Sequence, residues 1–136
     1  LQRTLDFLNG FTQLGAAETF LACRYIGLEG GYLALRQGDL ALARQRFDRA
    51  LKCGQRASAV KPHSVFERDA LAALAYLDLL ESKTAPDTLT ALADEQRARD
   101  DAVWWQSAAW LADWHWRVGE RAKATQWLEA LRDWHQ

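Results

Sequence analysis

The sequence predicts an all-α chain of about seven antiparallel helices packed as consecutive hairpins. Three observations carry this. Apolar residues recur at three-to-four spacing throughout, as one face of an α-helix requires, and no alternating stretch argues for a strand. Gly and Pro divide the chain into helix-sized pieces. Gly38-Asp39-Leu40-x-x-Ala43-x-x-x-Phe47-x-x-Ala50-Leu51 returns, blurred, 81 residues later as Gly119-Glu120-Arg121-x-x-Ala124-x-x-x-Leu128-x-x-Leu131. Recurrence at about twice 40 residues marks stacked units, none of which can bury its apolar face alone.

Each element follows from local chemistry. Residues 1–14 form a preceding helix, with Leu5, Leu8 and Phe11 on one face and Gly15 as its stop. The first hairpin, 16–57, opens with a helix from Ala16 to Gln37 that contains Phe20, Leu21, Tyr25, Leu28 and Leu33. Gly30-Gly31 inside it costs roughly 1 kcal/mol per residue relative to Ala, which is better explained by close helix contact than by propensity. Asp39 caps the next helix, Leu40 to Gln55, and Gly54 stands near its far end. The second hairpin, 64–100, follows Pro62. Ser64-Val65-Phe66-Glu67 reads as a capping box for a helix to Leu80 with Ala73 and Tyr76 on one face. Pro86 suits the first turn of a helix ending near Asp100. Ala102 to Val118 and Arg121 to His135 make the third hairpin, 101–135.

Composition excludes several classes. A net charge of -1 exerts no global pull on nucleic acid or an anionic membrane. The uncharged stretch from Ala102 to Ala112 is too short to span a bilayer. No basic segment precedes an apolar one at the start, so no signal peptide is read and a cytoplasmic location is expected. The chain contains no Met, which points to a piece of a longer polypeptide; at 136 residues it suffices for a single helical-repeat domain.

Catalytic and metal patterns are thin. His63, His115 and His135 have no ligand spacing with each other or with cysteine, so no zinc pattern exists. No phosphate loop, dinucleotide fingerprint or nucleophile elbow appears, and no cofactor is implied. Glu81, Asp87, Asp94, Glu95, Asp100 and Asp101 read as solvated helix faces and caps. Arg44, Arg46, Arg49, Lys52 and Arg56 make one basic helix, read as the solvated outer face of a repeat. Cys23 and Cys53 lie symmetrically about Gly38, so closing the hairpin brings both to its open end; buried free thiols are favoured over a disulfide. A non-catalytic chain is expected.

All seven tryptophans fall between residues 104 and 134. Trp110 and Trp114 share one face of their helix, while Trp105 and Trp116 lie together on another, so the helix should be covered from more than one direction. Core packing is the favoured reading. Otherwise Trp110, Trp114, Trp127 and Trp134 form a sticky end for a second protomer. Asp101, Asp113 and Asp133 argue against nucleic acid stacking on these rings.

The hairpin built on Ala43, Phe47 and Ala50, with Gly31 opposite, resembles a tetratricopeptide repeat. Leu111-Ala112 with Ala124, Leu128 and Leu131 match it more loosely, and Gly27 and Gln55 replace the family's early Trp and terminal Pro. The spacing near 40 is similar to the superhelical repeats of large LuxR-type bacterial activators of the maltose-activator kind. The resemblance implies a right-handed α-α superhelix whose first helices line a groove. Groove residues would be Tyr25, Leu28, Tyr32 and Arg36, then Gln106, Ala109, Asp113, Trp116 and Arg117. It implies a scaffold that binds a peptide or protein segment within a bacterial transcriptional regulator. A ligand-sensing module with a tryptophan-lined pocket near Gln106, Asp113 and His115, or a homodimerisation element, are the other readings.

Overall fold

A computed structural model describes residues 2–3, 22–60 and 65–135. Among these there are six α-helices and no strand, where the sequence leads one to expect seven helices. The expected helix at 1–14 and the Ser64 capping hydroxyl lie outside the described residues, apart from the helical pair Gln2 and Arg3. The elements are a π-helical segment (Ala22–Glu29), α1 (Gly30–Arg36), α2 (Leu40–Val60), α3 (Val65–Leu80), α4 (Asp87–Ala98), α5 (Trp104–Arg117) and α6 (Arg121–His135). They form two compact units, Leu1–Leu77 and Asp78–Gln136, and the division falls inside α3 rather than in a turn.

In the first unit the π segment and α1 both pack against α2. Their contacts close on the Gly38 turn from both sides: Gly31 meets the Phe47 ring, Gly27 meets Ala50, and Cys23 bonds Cys53. A Cβ on Gly27 would stand 2.5 Å from that of Ala50, so the Gly residues are there for backbone approach, as the Gly30-Gly31 pair indicates. Ala43, Phe47 and Ala50 are fully buried. The Arg46 guanidinium donates to the Gly30 carbonyl at 2.8 Å, just past the π segment. That segment was expected to be ordinary α-helix; its wider turn is pinned to α2 by the disulfide and the Gly27 contact.

Two further expectations change. Cys23 and Cys53 are paired as a disulfide, with Cα atoms 5.5 Å apart, and are not free thiols. Helix α2 continues to Val60 instead of ending at Gln55, because Gly54 is a crossing point and not a stop. The backbone of Phe66 and Glu67 approaches so closely that a Cβ at Gly54 would lie 2.5 Å from the Glu67 nitrogen. On α3, Ala73 and Tyr76 are both buried, as their shared face implies.

In the second unit α5 is central, packed by α4 on one side and α6 on the other. Leu89, Ala93, Trp104, Ala108, Leu111 and Ala124 form its core. Ser107 donates to the buried Gln96 Oε1 at 2.7 Å, so these polar groups of α4 and α5 answer one another inside the packing. The two recurring turns are built alike. At Gly38 (φ 80°) the amides of Gly38 and Asp39 donate to the carbonyls of Leu35 and Ala34. At Gly119 (φ 83°) the amides of Gly119 and Glu120 donate to those of Trp116 and His115. This pair of bonds ends a helix on a left-handed residue. The likeness stops inside the following helices: Phe47 is buried, whereas Leu128, its counterpart, is exposed.

Candidate functional site

The sequence of α5, Trp-Trp-Gln-Ser-Ala-Ala-Trp-Leu-Ala-Asp-Trp-His-Trp-Arg, sorts its own rings. Trp104, Ser107, Ala108, Leu111 and His115 recur every three or four residues and are buried. Trp105 and Trp116 are 45% and 56% exposed. They are 11 residues apart, so three helical turns bring them back to one face about 16 Å apart. Gln106 and Ala109 are half-buried between them, and Asp113 and Arg117 are exposed. Asp113 and Arg117 form an i,i+4 ion pair at 2.9 Å. The Arg121 guanidinium lies over the Trp116 ring, 5.1 Å from its centre. All five groove residues expected in the second unit keep access to solvent along this stretch of α5, Gln106 and Ala109 only in part.

The first unit offers less. Tyr25 and Arg36 are exposed, but Leu28 is buried and Tyr32 is half-buried with its ring 5.5 Å from Phe47. Leu28, expected in a groove, is a core residue here, because the packing of the π segment on α2 turns it inwards. Of the rings considered for self-association, Trp110 is buried, and Trp114 is half-buried edge-on to His115 at 5.2 Å. Trp127 is also half-buried. Trp134 alone of the four is largely exposed, its ring meeting that of Trp104 edge-on at 5.7 Å. Trp110 thus belongs to the core rather than to a sticky end.

Periodicity did not bring out a second feature. Between α4 and α6, over α5, lies a cavity of about 390 Å³. Asp87, Thr90, Asp94 and Arg97 line it from α4, and Lys123, Gln126 and Trp127 from α6; His115 reaches it from α5. The i, i+3, i+7 spacing on each helix was visible in the sequence, but nothing there said that the two stripes face one another. At one end Glu120 joins two of these groups. Its carboxylate is 3.0 Å from Lys123 Nζ and 3.3 Å from His115 Nδ1. The hydrogen bond from Lys123, with a smaller one from His115, holds the Glu120 carboxyl below its ordinary pKa. No group of His, Cys, Asp and Glu that could hold a metal occurs among the described residues. No helix among them is long and apolar enough to cross a membrane. No protein-family model, no curated protein and no solved structure matches this chain.

Proposed function

We propose that this chain is a non-catalytic interaction module that binds a peptide or protein segment along the outer face of α5, within a larger bacterial regulatory protein. One observation carries the reading: Trp105 and Trp116 are both about half exposed on one helix face, three turns apart. Large rigid rings lose little entropy on binding and dominate interface energetics. The complementary segment presents two apolar anchors about 16 Å apart and, between them, charged groups that engage Asp113 and Arg117. The tetratricopeptide-like reading draws support from the paired turns at Gly38 and Gly119 and from the fit of Gly31 against Phe47. The setting in a maltose-activator-like transcriptional regulator rests on repeat spacing alone.

Selection of peptides from a random display library tests the binding face. Peptides enriched on the native protein should bind a Trp105→Ala/Trp116→Ala variant at least tenfold more weakly, with circular dichroism unchanged. Equal binding to both would place recognition elsewhere. Light scattering over a dilution series separates self-association from this reading: a monomer is expected, and a dimer abolished by Trp116→Ala would make homodimerisation the function of the same face.

A further inference from the structure

We infer that the Cys23–Cys53 bond is a redox catch that sets the helical register of Ala22–Glu29. Oxidised, it holds these residues in a π-helix; reduced by a dithiol, it lets them adopt the α-helix of the adjoining α1. The segment is eight residues long, whereas most π-helical stretches are single-turn bulges inside α-helices. Its sequence, Ala-Cys-Arg-Tyr-Ile-Gly-Leu-Glu, holds no proline and a single glycine, so nothing local forbids the α register. The wider turn is imposed by what the segment is tied to.

Alignment with α2 is what imposes it. Cys23, Gly27 and Gly31 follow one another at four-residue spacing and meet Cys53, Ala50 and Phe47 in turn. In an unbroken α-helix each such step overshoots a full turn by about 40°, which would carry Cys23 about 80° away from the Gly31 side. A wider turn takes more than four residues to close, so the overshoot disappears and Cys23 stays against α2. The disulfide is the covalent part of this alignment, since Gly27 permits close approach but has no side chain to hold it. A second mark of the register is the ion pair between Arg24 and Glu29, 3.5 Å apart. Residues five apart face one another where i→i+5 bonds close the helix, but lie about 140° apart around an α-helix. Reduction therefore separates Arg24 from Glu29 and turns the exposed Tyr25 to a new direction.

Cys23 is fully buried and Cys53 only half-buried, so exchange begins at Cys53. A thiolate of the dithiol attacks Cys53 Sγ, the S–S bond breaks, and Cys23 leaves as a thiolate that takes up a proton. The second thiol attacks the mixed disulfide and releases Cys53, likewise protonated. Two electrons and two protons pass to the protein, and the dithiol becomes a disulfide.

The catch lies outside α5 and stands or falls separately from the Trp105 and Trp116 face. Nuclear magnetic resonance couplings across backbone hydrogen bonds test it on the intact chain, before and after dithiothreitol. In the oxidised protein the amides of Gly27, Leu28 and Glu29 should couple to the carbonyls of Ala22, Cys23 and Arg24. After reduction each acceptor should move by one residue, to Cys23, Arg24 and Tyr25, with the helical circular dichroism signal kept and the change reversed on reoxidation. A Cys23→Ser/Cys53→Ser variant should show the second pattern with or without dithiothreitol. Identical acceptors in both states would assign the register to packing and overturn the catch. Loss of every coupling in the segment would overturn it too, by reducing the bond to a staple whose removal unfolds its own surroundings. So would a bond that dithiothreitol opens only when urea unfolds the chain.

Discussion

At Gly31 the Phe47 ring fills the space in which any side chain would begin. Neither residue has a nearby substitute. Gly31→Ala must push the ring aside and should cost about 1–3 kcal/mol by overpacking. Phe47→Ala leaves a cavity in a fully buried site and should cost about 3–5 kcal/mol; urea unfolding of each variant measures both. Glu120 gives a pH signature. The Lys123 hydrogen bond lowers its folded pKa below the ordinary value of 4.5. Because the folded value is the lower one, the carboxylate's contribution to stability is present above pH 4.5 and is lost as pH falls through the folded value. Glu120→Gln should therefore lose stability at neutral pH and match the parent in acid; a gap that persists in strong acid would assign the loss to packing instead. The size of this effect is small, since Glu120 faces solvent.

Four helix ends share one design at the scale of elements. Residues 38, 82, 100 and 119 all have positive φ, and each turn carries the same two backbone bonds to the helix it terminates. Two of the four are not glycine: Ser82 at φ 57° and Asp100 at φ 54°. A left-handed residue with a Cβ costs about 1–2 kcal/mol, so Asp100→Gly should raise the unfolding midpoint, and Gly119→Ala should lower it. The π segment depends on another device. Its Cys23 is tied to Cys53 of α2 across 30 residues of sequence. Closing such a loop restricts the unfolded chain by about 3–4 kcal/mol. Thiol titration in denaturant should find no reactive thiol before reduction and two afterwards, with a matching loss of stability. Two thiols in the untreated protein would show that the bond does not form. Disulfides persist chiefly in oxidising compartments, so the same titration on protein recovered from its native host bears on the cytoplasmic location expected from the sequence.

For the whole molecule, the helical organisation was legible, and which side chains stay exposed only in part. Asp39 caps α2 through its side chain, accepting from the Leu42 amide at 3.0 Å, as its position after Gly38 indicates. The bounds of α6 agree with the expected ones. On α5, Gln106, Ala109, Asp113, Trp116 and Arg117, expected to line a groove, all keep access to solvent. Leu28 was not placed correctly, because an all-round apolar helix does not reveal which side is covered. Asp87 and Asp94 read as solvated acids and are exposed, and only the neighbouring helix shows that they border a cleft.

By itself the sequence determined where most helices begin and end, because turn chemistry is local: a left-handed Gly, an Asp cap and a Pro act within a few residues of themselves. It also determined which residues share a helix face, because that follows from the helical period. Which faces are covered was decided by the tertiary structure alone. Trp104 and Trp105 are adjacent and chemically identical, yet one is buried and the other 45% exposed, according to how α4 and α6 close on α5. Likewise two cysteines 30 residues apart become one bond, and two separate polar stripes become one cavity. Covering a face and closing a cavity are contacts between segments distant in sequence, and no local preference encodes them.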